Sequence, residues 1–293
     1  MRIGIIGTGN IGGTLARKLH AAQHDVRVAN SRGEQGVRAF AQEIGVTPAD
    51  VREVVRDVDL IVLAIPLPAI AELAAGLFDA VPPQVPVIDT SNYYPGMRDA
   101  RIAALNAGTP ESAWVSEQIG RPVIKAFNNI LAESLAERGT PAGSAGRLAV
   151  AVAGDDAAAK QTVMQLVDQV GFDPVDGGAL ADSWRQQPGT PAYCCDDDAA
   201  RMRAALAAAV PGVAPGKRDQ LPQWFAKLGP NPSHAQIIAM NRALNTPTEP
   251  AGACHRDGAG VPPGAALVGG EACRQSGVYR LASASAWRHC FNR

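Results

Sequence analysis

Short apolar runs alternate with longer amphipathic stretches from the first residues of the chain to about Leu180. Residues 2–6, 25–29, 60–65, 85–89, 123–127, 148–153 and 173–176 read as strands, because they are short, apolar and rich in β-branched residues. Residues 11–22, 36–44, 69–77 and 157–170 carry apolar positions at helical spacing. Strands that alternate with helices in this way predict an α/β fold with a doubly wound parallel sheet. Beyond Leu180 the texture becomes helical, with helices expected at 199–210 and 233–244 and a short segment around Trp224, separated by a Pro/Gly-rich stretch at 211–215. The expected organisation is a sheet domain over 1–182 and a small C-terminal helical appendage over 183–249. A tail over 250–293 follows, in which no apolar period persists; its texture resembles an alternative reading frame of a GC-rich gene, so it is read as disordered or non-native.

The stretch 60–78 is apolar enough to suggest a membrane span, but Pro66, Pro68 and Glu72 interrupt it. A buried strand followed by a helix is the better reading. The chain carries 27 Lys and Arg against 28 Asp and Glu, so it has no basic field to collect nucleic acid or anionic lipid, and small molecules are the expected partners. Five cysteines without a C-x-x-C pair read as free thiols of a reducing cytoplasm, and no metal site is expected. The start of the chain breaks at Gly4 and Gly7 before any signal-peptide core forms, so no export is expected.

Gly7-Thr8-Gly9-Asn10-Ile11-Gly12 follows the first strand directly and opens the first helix. In that context the spacing is a Rossmann fingerprint: the first glycine makes the turn, the second admits the pyrophosphate, and the third lets helix and strand pack closely. An enzyme for NAD places a carboxylate at the end of the second strand to accept from the ribose 2′-hydroxyl. This chain reads Asn30-Ser31-Arg32 there. Arg32 can pair with a 2′-phosphate and its neighbours can donate to it, so NADP(H) is the expected cofactor.

The reaction is expected at the carboxyl ends of the next strands, where Ala64-Ile65-Pro66 forms an apolar edge and Asn92, Tyr93, Lys125 and Asn128 offer hydrogen-bonding groups. The five histidines fall at 20, 24, 234, 255 and 289, outside these loops. A histidine general acid is not expected, and Lys125 is the candidate proton donor.

Taken together, Gly7 to Gly12, Asn30-Ser31-Arg32, Ala64-Ile65-Pro66, the stretch from Lys125 to Asn128, Ala153-Gly154-Asp155-Asp156 and Asp176-Gly177-Gly178-Ala179-Leu180 resemble the coenzyme F420-dependent NADP oxidoreductases, whose fold also occurs in the cytosolic domain of the STEAP metalloreductases. The resemblance covers roughly residues 1–195. It implies NADPH binding by the glycines, Ser31 and Arg32, and hydride exchange between the nicotinamide and a flavin or deazaflavin such as F420 held against Ile65 and Pro66. The stretch 182–191 leads into an appendage longer than the family core, and Tyr93-Tyr94-Pro95 occupies the fourth-strand loop; either can rebuild the acceptor pocket. Two alternatives stay open. One is a β-hydroxyacid dehydrogenase or an imine (pyrroline-carboxylate) reductase, in the first of which a Lys-x-x-Asn element like Lys125 to Asn128 sits on a helix rather than a strand. The other is a non-catalytic NADP(H) sensor. The dehydrogenase and reductase families need a long helical second domain for dimerisation, which residues 196–249 barely supply, and a homodimer stays open as a partner.

Overall fold

The first strand, β1 (Arg2–Ile6), is buried from Ile3 onward, and β4 (Leu60–Leu63) is buried at every position. Strands of this kind need cover on both faces, which helices on both sides of a parallel sheet supply. The computed structural model describes residues 1–246. Together with β2 (Asp25–Ala29), β3 (Thr47–Pro48), β5 (Val87–Asp89) and β6 (Ile124–Lys125), these strands form a parallel sheet in the order β3-β2-β1-β4-β5-β6. The chain builds outward from β1 through β2 to β3, then crosses to the other side of β1 to lay down β4. The switch point therefore lies between β1 and β4, where open α/β sheets form their ligand crevice.

One apolar core joins this sheet to α1 (Asn10–Ala21) and α2 (Gly33–Ile44) through Leu15, Ala16, Leu19, Val37 and Ala41. A second core, on the other face, gathers Leu67 from α3 (Leu67–Ile70), Leu105 from α4 (Ala103–Asn106) and Trp114 from α5 (Glu111–Ile119). After α6 (Ala132–Glu137) the chain forms β7 (Ala149–Val152), α7 (Ala157–Gln169) and β8 (Asp173–Asp176), and α7 is capped by the Asp156 carboxylate on the amide of Ala159. The expectation of one continuous parallel sheet is corrected here. β7 and β8 pair with each other as a separate two-stranded parallel sheet, joined to β6 only by an antiparallel bridge between Lys125 and Ala153.

A 3₁₀ turn over Leu180–Gln186 leads to α8 (Ala199–Ala207), α9 (Ala214–Arg218), α10 (Leu221–Leu228) and α11 (His234–Asn245). Helix α8 packs Met202 and Leu206 on β7 and β8, while α10 and α11 pack Leu221, Phe225, Ile237 and Leu244 against Tyr94, Leu131 and Tyr193. The C-terminal helices thus cover the loops that follow β5 and β6. The expected tail over 250–293, with residues 247–249, lies outside the described residues.

Two expected elements are shorter than their sequence pattern. The helix expected at 69–77 is a single turn, started by prolines at its cap and first turn and ended at Ile70, and Gly76 then adopts a left-handed φ of 71° within a run of turns. Leu77 and Phe78 still reach the core, which is why the apolar pattern imitates a longer helix. The strand expected at 123–127 is two residues long, because Phe127 turns into the left-handed region at φ 60°. That turn carries Asn128 and Asn129 out of the sheet. Among the described residues no helix is long and apolar enough to cross a membrane.

Candidate active site

A cleft of about 980 Å³ runs along the carboxyl edge of the sheet. Its walls come from the β1–α1 turn, the end of β2, the loops after β4, β5 and β6, and Tyr193 from the C-terminal region. Gly7, Thr8, Gly9, Asn10, Ile11, Asn30, Ser31, Arg32, Ala64, Ile65, Pro66, Asn92 and Asn128 all line it. Sequence spacing and tertiary structure therefore meet at one site.

Gly12 lies behind the lining. A Cβ there would stand 2.0 Å from the Gly7 carbonyl oxygen and 2.8 Å from the Ala64 Cβ, so helix α1 approaches β1 and β4 more closely than any side chain permits. Gly7 itself has a φ of 107°, and a Cβ on it would meet the Ala64 carbonyl oxygen at 2.2 Å. The turn so made leaves the N-terminus of α1 without a side-chain cap and without an acid in its first turn. Unpaired amides at the positive end of a twelve-residue helix form an anion cradle.

At the end of β2, Asn30 organises the loop: its side-chain oxygen accepts from the Arg32 amide at 2.9 Å and its amide reaches Gly36 O and Thr8 Oγ1. Arg32 is exposed and has no ion-pair partner among the described residues. The nearby Glu34 is taken by Arg38 at 2.6 Å. Position 32 thus places an exposed cation in the same cleft as the uncapped N-terminus of α1. Asp50 and Val51, after β3, close this end of the cleft.

The far end is built differently. Asn92 and Asn128 are locked to each other, Asn128 Nδ2 donating to Asn92 Oδ1 at 3.0 Å and Asn92 Nδ2 to Asn128 O at 2.9 Å. Gln186 completes the group by donating to Asn128 Oδ1 and accepting from Asn128 Nδ2 at its carbonyl. These amides shape the cleft floor. Ser91 Oγ, buried in the wall, has no hydrogen-bond partner among the described residues, an unmet need that a polar ligand in the cleft can satisfy.

Two expected reactive groups do not line the cleft. Lys125 is fully buried beneath it, where Nζ donates to Ser91 O at 2.5 Å and to Asp89 Oδ2 at 3.2 Å, with Glu111 Oε2 at 3.7 Å. Ser112 donates to the same Asp89 oxygen. Burial pushes the Glu111 carboxyl up to about 7 despite the opposing charges of Lys125 and Arg218. Tyr93 points into the core, where its hydroxyl accepts from the Ile102 amide and donates to Asn106, and Arg218 of α9 lies over its ring. Neighbouring side chains of an extended segment point to opposite sides, so the tyrosine that faces the cleft is Tyr94.

Tyr94 brings two further residues that the local sequence did not mark. Its hydroxyl is hydrogen-bonded to that of Tyr193, ninety-nine positions along the chain. Arg98 also lines the cleft with its guanidinium over the Tyr94 ring, fixed by Asp99 and by Asn92 O at 2.6 Å. Burial opposes the Arg98 charge, but the bonds and charge of Asp99 outweigh it and raise its pKa. Arg98 had only a weak signal, a cation just past a Pro-Gly turn, and Tyr193 had none. Of the histidines within the described residues, none lines the cleft; His234 instead meets Asp196, Ser134 and Glu133.

Comparison with known proteins agrees with this geometry. Residues 2–93 match the family model described as NADP oxidoreductase coenzyme F420-dependent. The protein YjhV of Escherichia coli (strain K12) is 53% identical over 107 residues, 36% of this chain and 78% of its own length. Among solved structures, the hypothetical protein SMa0349 of Sinorhizobium meliloti is 31% identical with a TM-score of 0.56, covering 66% of this chain and 92% of that one. A candidate F420-dependent NADP reductase from Arthrobacter sp. FB24 shares the fold at 24% identity and a TM-score of 0.53, covering 78% of this chain and 93% of that one.

Proposed function

The chain belongs to the family of coenzyme F420-dependent NADP oxidoreductases, and from that premise we propose that it transfers a hydride between NADP(H) and a flavin or deazaflavin acceptor. The observation that carries this reading is the continuity of the cleft. It extends from the cation at Arg32, past the anion cradle at Gly7 to Asn10 and the apolar edge at Ile65 and Pro66, and on over β5 and β6 to Tyr94 and Tyr193. In the proposed arrangement the helix amides hold the pyrophosphate, Ser31 and Arg32 meet the 2′-phosphate, and Ile65 and Pro66 pack against the nicotinamide end. A planar acceptor then lies over the loops after β5 and β6. Bound there, the cofactor supplies the hydride; the protein aligns the partners and keeps water out. No histidine or lysine among the described residues lines the cleft, which suits chemistry that runs by positioning two rings.

The same reading takes a small molecule as partner and a reducing cytoplasm as location, consistent with the buried cysteines Cys194 and Cys195, which form no disulfide among the described residues. NADPH oxidation followed at 340 nm against F420, FMN, FAD, ferric chelates and simple imines tests it. Turnover with a flavin-type ring is the expected outcome. Turnover with imines alone would favour the reductase alternative, and tight NADPH binding without oxidation by any acceptor would favour a sensor.

A further inference from the structure

Tyr94 belongs to the loop after β5, whereas Tyr193 belongs to the segment that leads into the C-terminal helices. Their hydroxyls meet in the wall of the cleft, with both residues no more than 2% exposed. The segment holding Tyr193 is clamped on two sides. The Cys194 amide donates to Asn129 O at 3.0 Å, and α11 grips the carbonyls of Tyr193, Cys194 and Cys195 through Asn245, Asn241 and Arg242. Tyr94 is equally fixed: Asp99 accepts from its amide at 2.8 Å and the Arg98 guanidinium covers its ring. Two phenols held this firmly, from parts of the chain so far apart, form a built polar group at one end of the cleft.

We propose that this pair binds the acceptor, with Tyr193 donating a hydrogen bond to a ring carbonyl oxygen of a conjugated acceptor and Tyr94 acting as the positioning residue that holds it. The inference rests on the hydride-transfer reading above and names the chemistry of its acceptor. Each phenol has one proton. Either hydroxyl can donate within the pair; in the arrangement where Tyr94 donates, the proton of Tyr193 is directed to a third atom. The Cys194 thiol beside Tyr193 is a weak acceptor that a carbonyl oxygen outcompetes. Burial pushes both phenols well above the ordinary tyrosine range, so both remain protonated donors at neutral pH.

Position along the cleft assigns this donor to the acceptor. The cleft begins at Arg32 beyond β2, and the pair stands at the opposite end, beside Leu131 after β6. A dinucleotide that starts over β2 and crosses at the switch point places its nicotinamide beyond β4, and the pair lies past it. When hydride leaves the reduced nicotinamide, which is thereby oxidised, its electron pair enters the conjugated system of the acceptor and negative charge gathers on the carbonyl oxygen. A fixed donor aimed at that oxygen binds the charged state more strongly than the ground state.

The test compares wild type with Tyr193→Phe and Tyr94→Phe, using FMN and F420 as acceptor probes. Near-ultraviolet difference spectra are recorded as each probe is added to the protein saturated with NADP⁺, beside NADPH affinity and single-turnover hydride transfer. The expected result is a tyrosine difference signal on adding a probe, absent in both variants. NADPH affinity should change less than about twofold, and hydride transfer should fall at least about tenfold, below the usual loss for a strong oxyanion donor. The inference is overturned if neither probe perturbs the tyrosines of the wild type, if the signal appears already on adding NADP⁺ alone, or if both variants transfer hydride at the wild-type rate. Failure of the hydride-transfer reading looks different, since the wild type would then oxidise NADPH with neither probe while the spectra still report whether the pair meets an acceptor.

Discussion

Lys125 Nζ stands 3.2 Å from Asp89 Oδ2, and both side chains are completely buried. The relationship assigns Lys125 to the support of the β5 and β6 loops. Lys125→Met leaves the Asp89 carboxylate buried without its cation, and such a loss costs about 3–5 kcal/mol. Chemical denaturation should register a loss of that order, and the double variant Asp89→Asn with Lys125→Met should recover part of it. A Lys125→Met protein that melts like wild type but has lost turnover would return Lys125 to the role of proton donor.

Arg32 is an exposed cation at the β2 end of the cleft, with no carboxylate partner among the described residues. Arg32→Ala should weaken NADPH binding about ten- to a hundredfold, the equivalent of one charge-assisted hydrogen bond of roughly 1.5–3 kcal/mol. NADH binding should barely change. Fluorescence titration of both cofactors at fixed ionic strength checks the asymmetry; equal losses, or a wild type that prefers NADH, would remove the basis for the NADP assignment.

Gly12→Ala places a methyl group 2.0 Å from the Gly7 carbonyl oxygen, where the obstacle is backbone. Helix α1 must then move off the sheet, at a cost of roughly 1–3 kcal/mol for overpacking, and its amides move with it. A lower melting temperature and weaker NADPH binding are expected together. Gly13→Ala is the control: its Cβ would lie 3.3 Å from the Phe40 ring and from the Thr8 carbonyl oxygen, and it should affect both quantities less.

Glu111 carries a pH dependence of known sign. Burial raises its carboxyl from 4.5 to about 7, so the folded protein holds a proton that the unfolded chain releases over that interval. The stability linked to this proton is fully present below about pH 4.5 and is lost as pH rises through 7, by roughly 3 kcal/mol in all. Glu111→Gln abolishes the titration. The melting temperature of the variant relative to wild type should therefore climb between pH 5 and pH 8, and a constant difference over that range would show that Glu111 does not titrate there.

The histidines offer a simpler check. His234 is engaged with Asp196 and Ser134 away from the cleft, and His20 and His24 lie on the first helix and its exit. His20→Ala, His24→Ala and His234→Ala should each keep turnover within about tenfold, less than the loss of a general acid costs. A larger loss for His234→Ala, with folding intact, would mean that α11 acts on the cleft through the Tyr193 segment.

The elements that the sequence settled unaided are those written in local chemistry. An apolar strand running into Gly7-Thr8-Gly9-Asn10-Ile11-Gly12 has one workable geometry, because a single left-handed turn and one close helix approach are consequences of neighbouring residues. The absence of a carboxylate after β2 is equally local, and it predicted the position of Arg32 in the cleft. Periodicity reported burial at Leu77 and Phe78 faithfully, but burial does not distinguish a helix from turns that dip into a core. Tertiary structure alone decided the rest. Which of Tyr93 and Tyr94 faces the cleft depends on where an irregular loop leaves the sheet, and whether Lys125 reaches solvent or Asp89 depends on the packing of β5 against β6. Tyr193 joins the site only because α10 and α11 fold back over the β5 and β6 loops. Its partner is ninety-nine residues away, and a contact at that separation leaves no periodic trace in the chain, since it is stabilised by the packing of whole elements rather than by the preferences of adjacent residues.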